Sequence, residues 1–399
     1  MGAGTAQRGA CLLISGKVRK NMEFVVFAGV LLLLFIFMIV QELIQTKNQE
    51  KLFKKYLREN YGKEPPKEYS LERFARLGSY LERHKEEKQL DDITWNDLGM
   101  DEVFRRIDRT YSAAGEEYLY YTLRNISCGR EALEHLEEVV NWLQGQENIK
   151  VRIQLLMKRL GHLGKYSLYD YLDNLDYLGE RSNRKIVLGN LLYLPFLLLL
   201  FVQPAMGTIG IVLCMLWHIM TYFREKKVIE PYIISFAYVL RLIDVCEELE
   251  KQKIPVYRRE LDELREALKS LLELRRGAYW VMAGNQGKIG GNPLDILADY
   301  LRMILHLDIF QFNRMLEKLR KKTGQVETML AITGYLDMAI SVGGFRKSLE
   351  GYCIPKLEED TEKAFLHMKK GWHPLLSQPV KNSIRADRGI LLTGSNASG

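Results

Sequence analysis

Cysteine is scarce and scattered in this chain of 399 residues: Cys11, Cys128, Cys214, Cys246 and Cys353 are the whole set. The number is odd, and neither a CxxC pair nor a Cys/His cluster occurs, which excludes a zinc motif and a disulfide framework. Reduced thiols in a cytosolic setting follow. The seven histidines are just as dispersed, and each reads as a structural residue. An acidic balance is also missing, because the formal charge is +7. Its distribution weakens a nucleic-acid reading. The surplus sits beside apolar runs: Lys17, Arg19 and Lys20; Lys47, Lys51, Lys54, Lys55 and Arg58; Arg181, Arg184 and Lys185; Arg224, Lys226 and Lys227. Such basic flanks are what membrane segments carry.

No polar side chain interrupts Phe24 to Val40. A run of about 17 residues with flanking turns just crosses a hydrocarbon core of about 30 Å. No small-x-small cleavage pattern follows it, so an uncleaved anchor is expected rather than a signal peptide. A second apolar block runs from Ile186 to Phe223 and breaks at "QPAMG", Gln203 to Gly207. Proline and glycine there terminate one helix and permit a reversal, giving a membrane hairpin. Its basic outer ends belong inside. Three spans in a cell membrane, with the soluble bulk cytoplasmic, is the resulting expectation.

Between anchor and hairpin the pattern is helical. Leu133, Leu136, Val140 and Leu143 recur at spacings of three and four. After the hairpin, Leu261, Leu264, Leu268 and Leu271 share one face of a long, coiled-coil-like helix. Glycine-rich Gly277 to Asn292 cannot continue it. A new helix is expected to start at Asn292 and Pro293 and run through "LDILADYLRMILHLDIFQFNRMLEKLRKK", with another over about Val326 to Leu349. Helices of this length make levers or dimer contacts. From Cys353 the helical stripe disappears. Pro374, Pro379 and short β-branched runs predict two or three strands, the last being Gly389 to Leu392.

That last strand feeds "GSNASG", Gly394, Ser395, Asn396, Ala397, Ser398 and Gly399, the first six positions of GxxxxGK[ST]. Wrapping a phosphate with successive backbone N–H groups needs small residues and glycine conformations, and a following helix N-terminus adds positive potential. The lysine that would reach the β- and γ-phosphates, and the hydroxyl that would hold Mg²⁺, would come next.

The stretch "WHPLLSQPVKNSIRADRGILLTGSNASG" closely resembles the start of the ATPase domain of MutS-type proteins. The matching residues are His373 and Pro374, Val380, Asn382, Ser383 and Ile384, and Thr393 through Gly399. Upstream, "GYLDMAISVGGFR" is similar to the helix that precedes that domain, through Leu336, Asp337 and Ser341. "TWNDLGMDEVFRRIDRTYSAAGEEYLYYTLRN" is similar to the start of the family's helical core, through Asp97-Leu98, Asp108-Arg109-Thr110 and Gly115. The resemblance spans about Asp92 to Gly399, interrupted by the hairpin.

It implies a homodimeric ATPase linked to DNA mismatch repair and DNA binding, with ATP and Mg²⁺ as cofactors. Gly394 to Gly399 would cradle phosphates and Val380 would line the adenine pocket. No recognition, connector or clamp domain is visible, and the sole Phe-x-Glu, Phe223-Arg224-Glu225, lies at a membrane boundary. Mismatch reading is therefore not expected of this chain.

The expected architecture is mainly α. It comprises an N-terminal tail (1–23), a transmembrane anchor (24–44), a basic helical linker (45–91) and a MutS-core-like helical region (92–185). A transmembrane hairpin (186–223), lever helices (224–350) and the first strands of an α/β P-loop ATPase domain (351–399) complete it. The chain is expected to be a fragment ending inside the phosphate loop, and inactive as such. An ABC-type transporter half would need about six spans and an aromatic adenine contact. A membrane-tethered scaffold dimerising through Leu261 to Leu271 would need no catalysis at all.

Overall fold

The computed structural model describes residues 37–391 except 39, 42–43, 64–68, 87, 127–128, 165, 276–299, 359–364 and 377. Most of the expected anchor, the glycine-rich stretch after Gly277 and the phosphate loop lie outside the described residues. The chain divides into Met1–Asn60 and Tyr61–Gly399. In the first unit residues 44–60 are helical. Lys54 and Glu50 pair there at 2.6 Å across one turn.

The second unit is mainly helical. Its first helices are α1 (Leu71–Arg83), α2 (Asp92–Asp97), α3 (Met100–Ile107), α4 (Ala113–Arg124), α5 (Arg130–Gly145), α6 (Glu147–Leu160) and α7 (Leu168–Asp173). Four of them start on the oxygen caps that helix N-termini need. Ser70 accepts from Arg73 N, Asp91 from Thr94 N and Ser112 from Gly115 N, while Ser167 and Asp170 form a capping box. The apolar pair α8 (Arg184–Leu191) and α9 (Tyr193–Val202) leads into α10 (Pro204–Glu250). Then come α11 (Arg258–Leu271), α12 (Leu307–Arg320) and α13 (Thr323–Lys347), and finally the strands β1 (Leu366–Gly371) and β2 (Asn382–Ala386).

Three stretches are long and apolar enough to cross a membrane: Arg184–Val202, Pro204–Glu250 and Thr323–Lys347. Burial separates them. Only 6% of the apolar window in the first is buried within the protein, against 72% in α13. A helix apolar on all sides belongs either in a core or in lipid. α13 takes the core: Val326, Met329, Leu336, Ala339 and Ile340 are almost wholly buried. The hairpin instead exposes Leu198, Phe201, Val202, Leu213 and Met220. Its two helices pack through glycine, with an added Cβ on Gly210 falling 2.0 Å from the Phe196 ring and one on Gly207 2.7 Å from Leu200 N.

The hairpin breaks at Gln203, and Pro204 occupies the first turn of the next helix, where a missing N–H costs nothing. The expected end of the hairpin at Phe223 is not a helix end. α10 continues to Glu250, 47 residues from Pro204 and about 70 Å at 1.5 Å per residue. Its second half is a bundle helix that buries Ile229, Phe236, Leu242, Val245 and Leu249.

The leucine stripe of α11 also differs from expectation. Leu261, Leu264, Leu268 and Leu271 are all buried inside the bundle, where α11 packs on α13. The chain itself covers the face that a scaffold dimer would require. The expected basic linker, 45–91, contains bundle helix α1, which packs on α4. The long helix expected from Asn292 is interrupted at His306, whose φ is 53°. Residues 300–305 are helical before that break and α12 follows it.

α13 lies at the centre, against α4, α5, α6 and α11. Two glycines let α4 and α13 touch backbone to backbone. A Cβ on Gly115 would lie 2.4 Å from Asp337 Oδ2, and one on Gly334 would lie 2.6 Å from Ala114 O. Near the C-terminus β1 and β2 pair antiparallel, Leu366 opposite Ala386 and Met368 opposite Ile384. Gly389 to Leu391 are not in a strand, contrary to expectation.

Gly115→Ala is expected to destabilise the fold by about 1–3 kcal/mol, because the new methyl overlaps a carboxylate that cannot retreat. Thermal unfolding in detergent reads this directly, with Gly324→Ala, in the first turn of α13 where a Cβ meets nothing within 4 Å, as the control expected not to destabilise.

Candidate functional site

The loop from Gly394 to Gly399, comprising Gly394, Ser395, Asn396, Ala397, Ser398 and Gly399, lies outside the described residues. Val380 is described and is 77% exposed in the connection between β1 and β2. Asn382 Nδ2 donates to its carbonyl at 3.3 Å. His373 accepts at Nδ1 from Leu375 N at 3.3 Å, which fixes the turn after β1.

The residues the chain brings together most closely are those of the two upstream motifs. Asp337, on α13, is fully buried and faces the first residues of α4. Its Oδ2 accepts from Ser112 N at 2.8 Å, Ser112 Oγ at 2.6 Å and Tyr111 N at 3.0 Å. A helix start presents unsatisfied N–H groups and partial positive charge, so a carboxylate there is stabilised. One turn further along α13, Ser341 Oγ accepts from Arg109 N at 2.7 Å and donates to Ile107 O at 2.9 Å. The segment from Asp108 to Gly115 is thereby tied to α13 at both ends.

Asp108, also fully buried, closes the turn locally. Its Oδ1 accepts from Thr110 N at 2.9 Å and Thr110 Oγ1 at 2.6 Å, while Oδ2 accepts from the Tyr69 hydroxyl. Next to it Glu116, buried on α4, holds two guanidinium groups from α1. Arg73 Nε donates to Oε1 at 2.6 Å and Arg76 Nη2 to Oε2 at 2.7 Å. His162 Nε2 lies 3.4 Å from the same carboxylate. Arg76 Nη1 also donates to Gly164 O at 2.7 Å. Above them opens a cleft of about 330 Å³, lined by Ser70, Glu72, Arg73, Arg76, His162 and Gly164. Glu116 pairs its two arginines, Arg73 and Arg76, and so ties α1 to α4 beneath the cleft. No cluster of three or more His, Cys, Asp or Glu among the described residues could hold a metal ion.

Glu117 differs from its neighbour. It is buried without an ion-paired partner of its own and accepts from Ser167 Oγ at 2.8 Å. Burial pushes its carboxyl up to about 8, with the Ser167 hydrogen bond opposing the shift.

Asp108, Arg109, Thr110, Gly115, Asp337 and Ser341 are therefore one site, although the two motifs lie more than 200 residues apart. Arg73, Arg76, Glu116 and His162 are absent from the sequence reading. Their one visible signal is a Glu-Glu pair inside an otherwise apolar helix. Asp97, from the same resemblance, is the exposed last residue of α2 and takes no part. Compared with family models, curated proteins and solved structures, the chain matches none.

Two outcomes test the site. Asp337→Ala leaves three buried donors unpaired and is expected to cost about 3 kcal/mol or more, with Asp337→Asn costing less; denaturant unfolding in detergent measures both. Glu117 binds its proton more tightly folded than unfolded, so its stabilising contribution is complete below its ordinary value of 4.5 and is lost as pH rises to about 8. Melting temperature followed across that window is expected to fall more steeply with pH in the wild type than in Glu117→Gln.

Proposed function

We propose that this chain is the membrane-anchored, helical lever part of a MutS-like ATPase. The observation that carries the reading is the direct docking of Asp337 and Ser341 on the segment Arg109 to Gly115. Those are the residues through which two separate stretches resemble that family. A lever must be tied at defined points if it is to transmit a displacement, and α13 is tied by a buried carboxylate and a serine one turn apart.

The C-terminal segment supports the same reading. α13 leads through β1 and β2 towards the glycine loop, and Val380 offers an exposed apolar side chain suited to an adenine face. In the complete protein Gly394 to Gly399 would supply backbone N–H groups to the phosphates of ATP, and Mg²⁺ would neutralise charge developing on them. The lipid-facing hairpin supports attachment to the cell membrane, and its basic ends favour a cytoplasmic bundle. α10 joins the two without a break, so movement in one is felt in the other. Homodimerisation through the ATPase and lever regions belongs to the proposal. DNA binding would rest on phosphate contacts rather than on mismatch reading.

The experiment uses the chain together with any natural sequence that follows Gly399, purified in detergent. Magnesium-dependent ATP hydrolysis is expected, together with its loss in Gly394→Val and equal affinity for matched and mismatched duplexes. Absence of turnover in the continued wild-type chain would overturn the ATPase reading, and a clear preference for mismatched duplex would overturn the exclusion of mismatch recognition.

A further inference from the structure

Lys150 on α6 is 6% exposed, yet no carboxylate forms an ion pair with it among the described residues. A buried ammonium without a counter-charge is costly. Its Nζ sits 3.5 Å from the centroid of the Tyr61 ring, and the Lys347 Nζ lies 5.3 Å from the same centroid. One ring thus faces two cations. A cation–π contact contributes about 0.5–2 kcal/mol, and the second ammonium opposes the first. Burial and the Lys347 charge both push the Lys150 ammonium down, with exposed Glu147 as the opposing influence.

The place is built rather than accidental. Tyr61 fits there because α13 carries Gly343 and Gly344. A Cβ on Gly343 would lie 2.7 Å from the Tyr61 hydroxyl, and one on Gly344 would lie 2.9 Å from Arg109 Cδ. The Arg109 guanidinium is the third positive charge acting on Tyr61. Three cations from three elements therefore converge at the end of α13, where the chain leaves for β1.

We propose that Lys150 and Lys347 bind a phosphate-type oxyanion, with Tyr61 holding the two ammonium groups ready for it. A tetrahedral oxyanion carries enough charge to satisfy both lysines and enough acceptor oxygens to take hydrogen bonds from each. Free phosphate groups and anionic lipid headgroups share that chemistry. The site uses none of the residues of the glycine loop.

The test measures thermal unfolding of the whole chain in detergent with inorganic phosphate against chloride at matched ionic strength. Saturating phosphate is expected to raise the melting temperature by about 2–4 °C. Lys150→Met and Lys347→Met should each remove that rise, whereas Lys321→Met, on an exposed lysine paired with Glu317, should keep it. Lys150→Met should also melt higher than the wild type in chloride, since it deletes an uncompensated charge. A lysine with a purely structural role gives the opposite: a lower melting temperature and an unchanged phosphate response. Nanodiscs of phosphatidate against phosphatidylcholine distinguish the sources. Lipid-dependent stabilisation that both methionine variants abolish identifies a headgroup. No stabilisation by any of these probes, or a response that survives in both variants or is lost equally in Lys321→Met, overturns the proposal.

Discussion

The carboxylate of Asp337 is fully buried, and two backbone N–H groups and one hydroxyl at the start of α4 donate to it. That constraint fixes much else in the bundle. The carboxylate reaches α4 only if the helix offers no side chain in its path, which makes Gly115 a steric requirement. The same close approach needs Gly334 against Ala114 and brings Ser341 under Arg109 N. Rotating α13 by one residue would strand a charge in the core and leave three donors unpaired. Buried polar contacts of this kind add modest net stability but select one arrangement among many that bury similar apolar area.

From that joint the polar network spreads outward in a consistent order. Asp108 closes the turn that presents Tyr111 and Ser112, and Tyr69 closes over Asp108. Glu116 then fastens α1 through Arg73 and Arg76. On the opposite side the apolar partners of α13 come from α5, α6 and α11. α10 ties this bundle to the hairpin, because one helix supplies both exposed apolar residues near Leu213 and core residues near Leu242. The exposed apolar hairpin and the bundle are thus joined by one helix, which carries Pro231 within it.

Much of the helical organisation was legible in the residues. The break at Gln203, the helix over Val326 to Leu349 and the leucine face of α11 all follow from periodicity and from proline. Periodicity gives the face but not what covers it. The leucines of Leu261 to Leu271 therefore look the same whether they meet α13 or a second chain. The end of the hairpin at Phe223 was misplaced for a related reason. Arg224, Lys226 and Lys227 mark a change of surroundings, whereas the backbone needs no interruption there and α10 continues. His306 broke an otherwise helical pattern through a left-handed backbone that its neighbours in sequence do not announce.

The sequence by itself determined that the chain is mainly helical, that one hairpin is apolar enough to cross a membrane, and which short motifs stand out. These are properties of single segments, set by side-chain spacing and transfer energy. The tertiary structure decided which apolar helix is core and which stays exposed, since α13 and the hairpin pass the same compositional test and differ only in how much of each the chain covers. It also decided that Asp108 to Gly115 and Asp337 to Ser341 form one joint, and that Lys150 and Lys347 face a single ring. Each is a pairing across roughly 200 residues, and a hydrogen bond or a charge leaves no trace of its partner in the local pattern. Only the packing of α4, α6 and α13 brings those atoms within reach of one another.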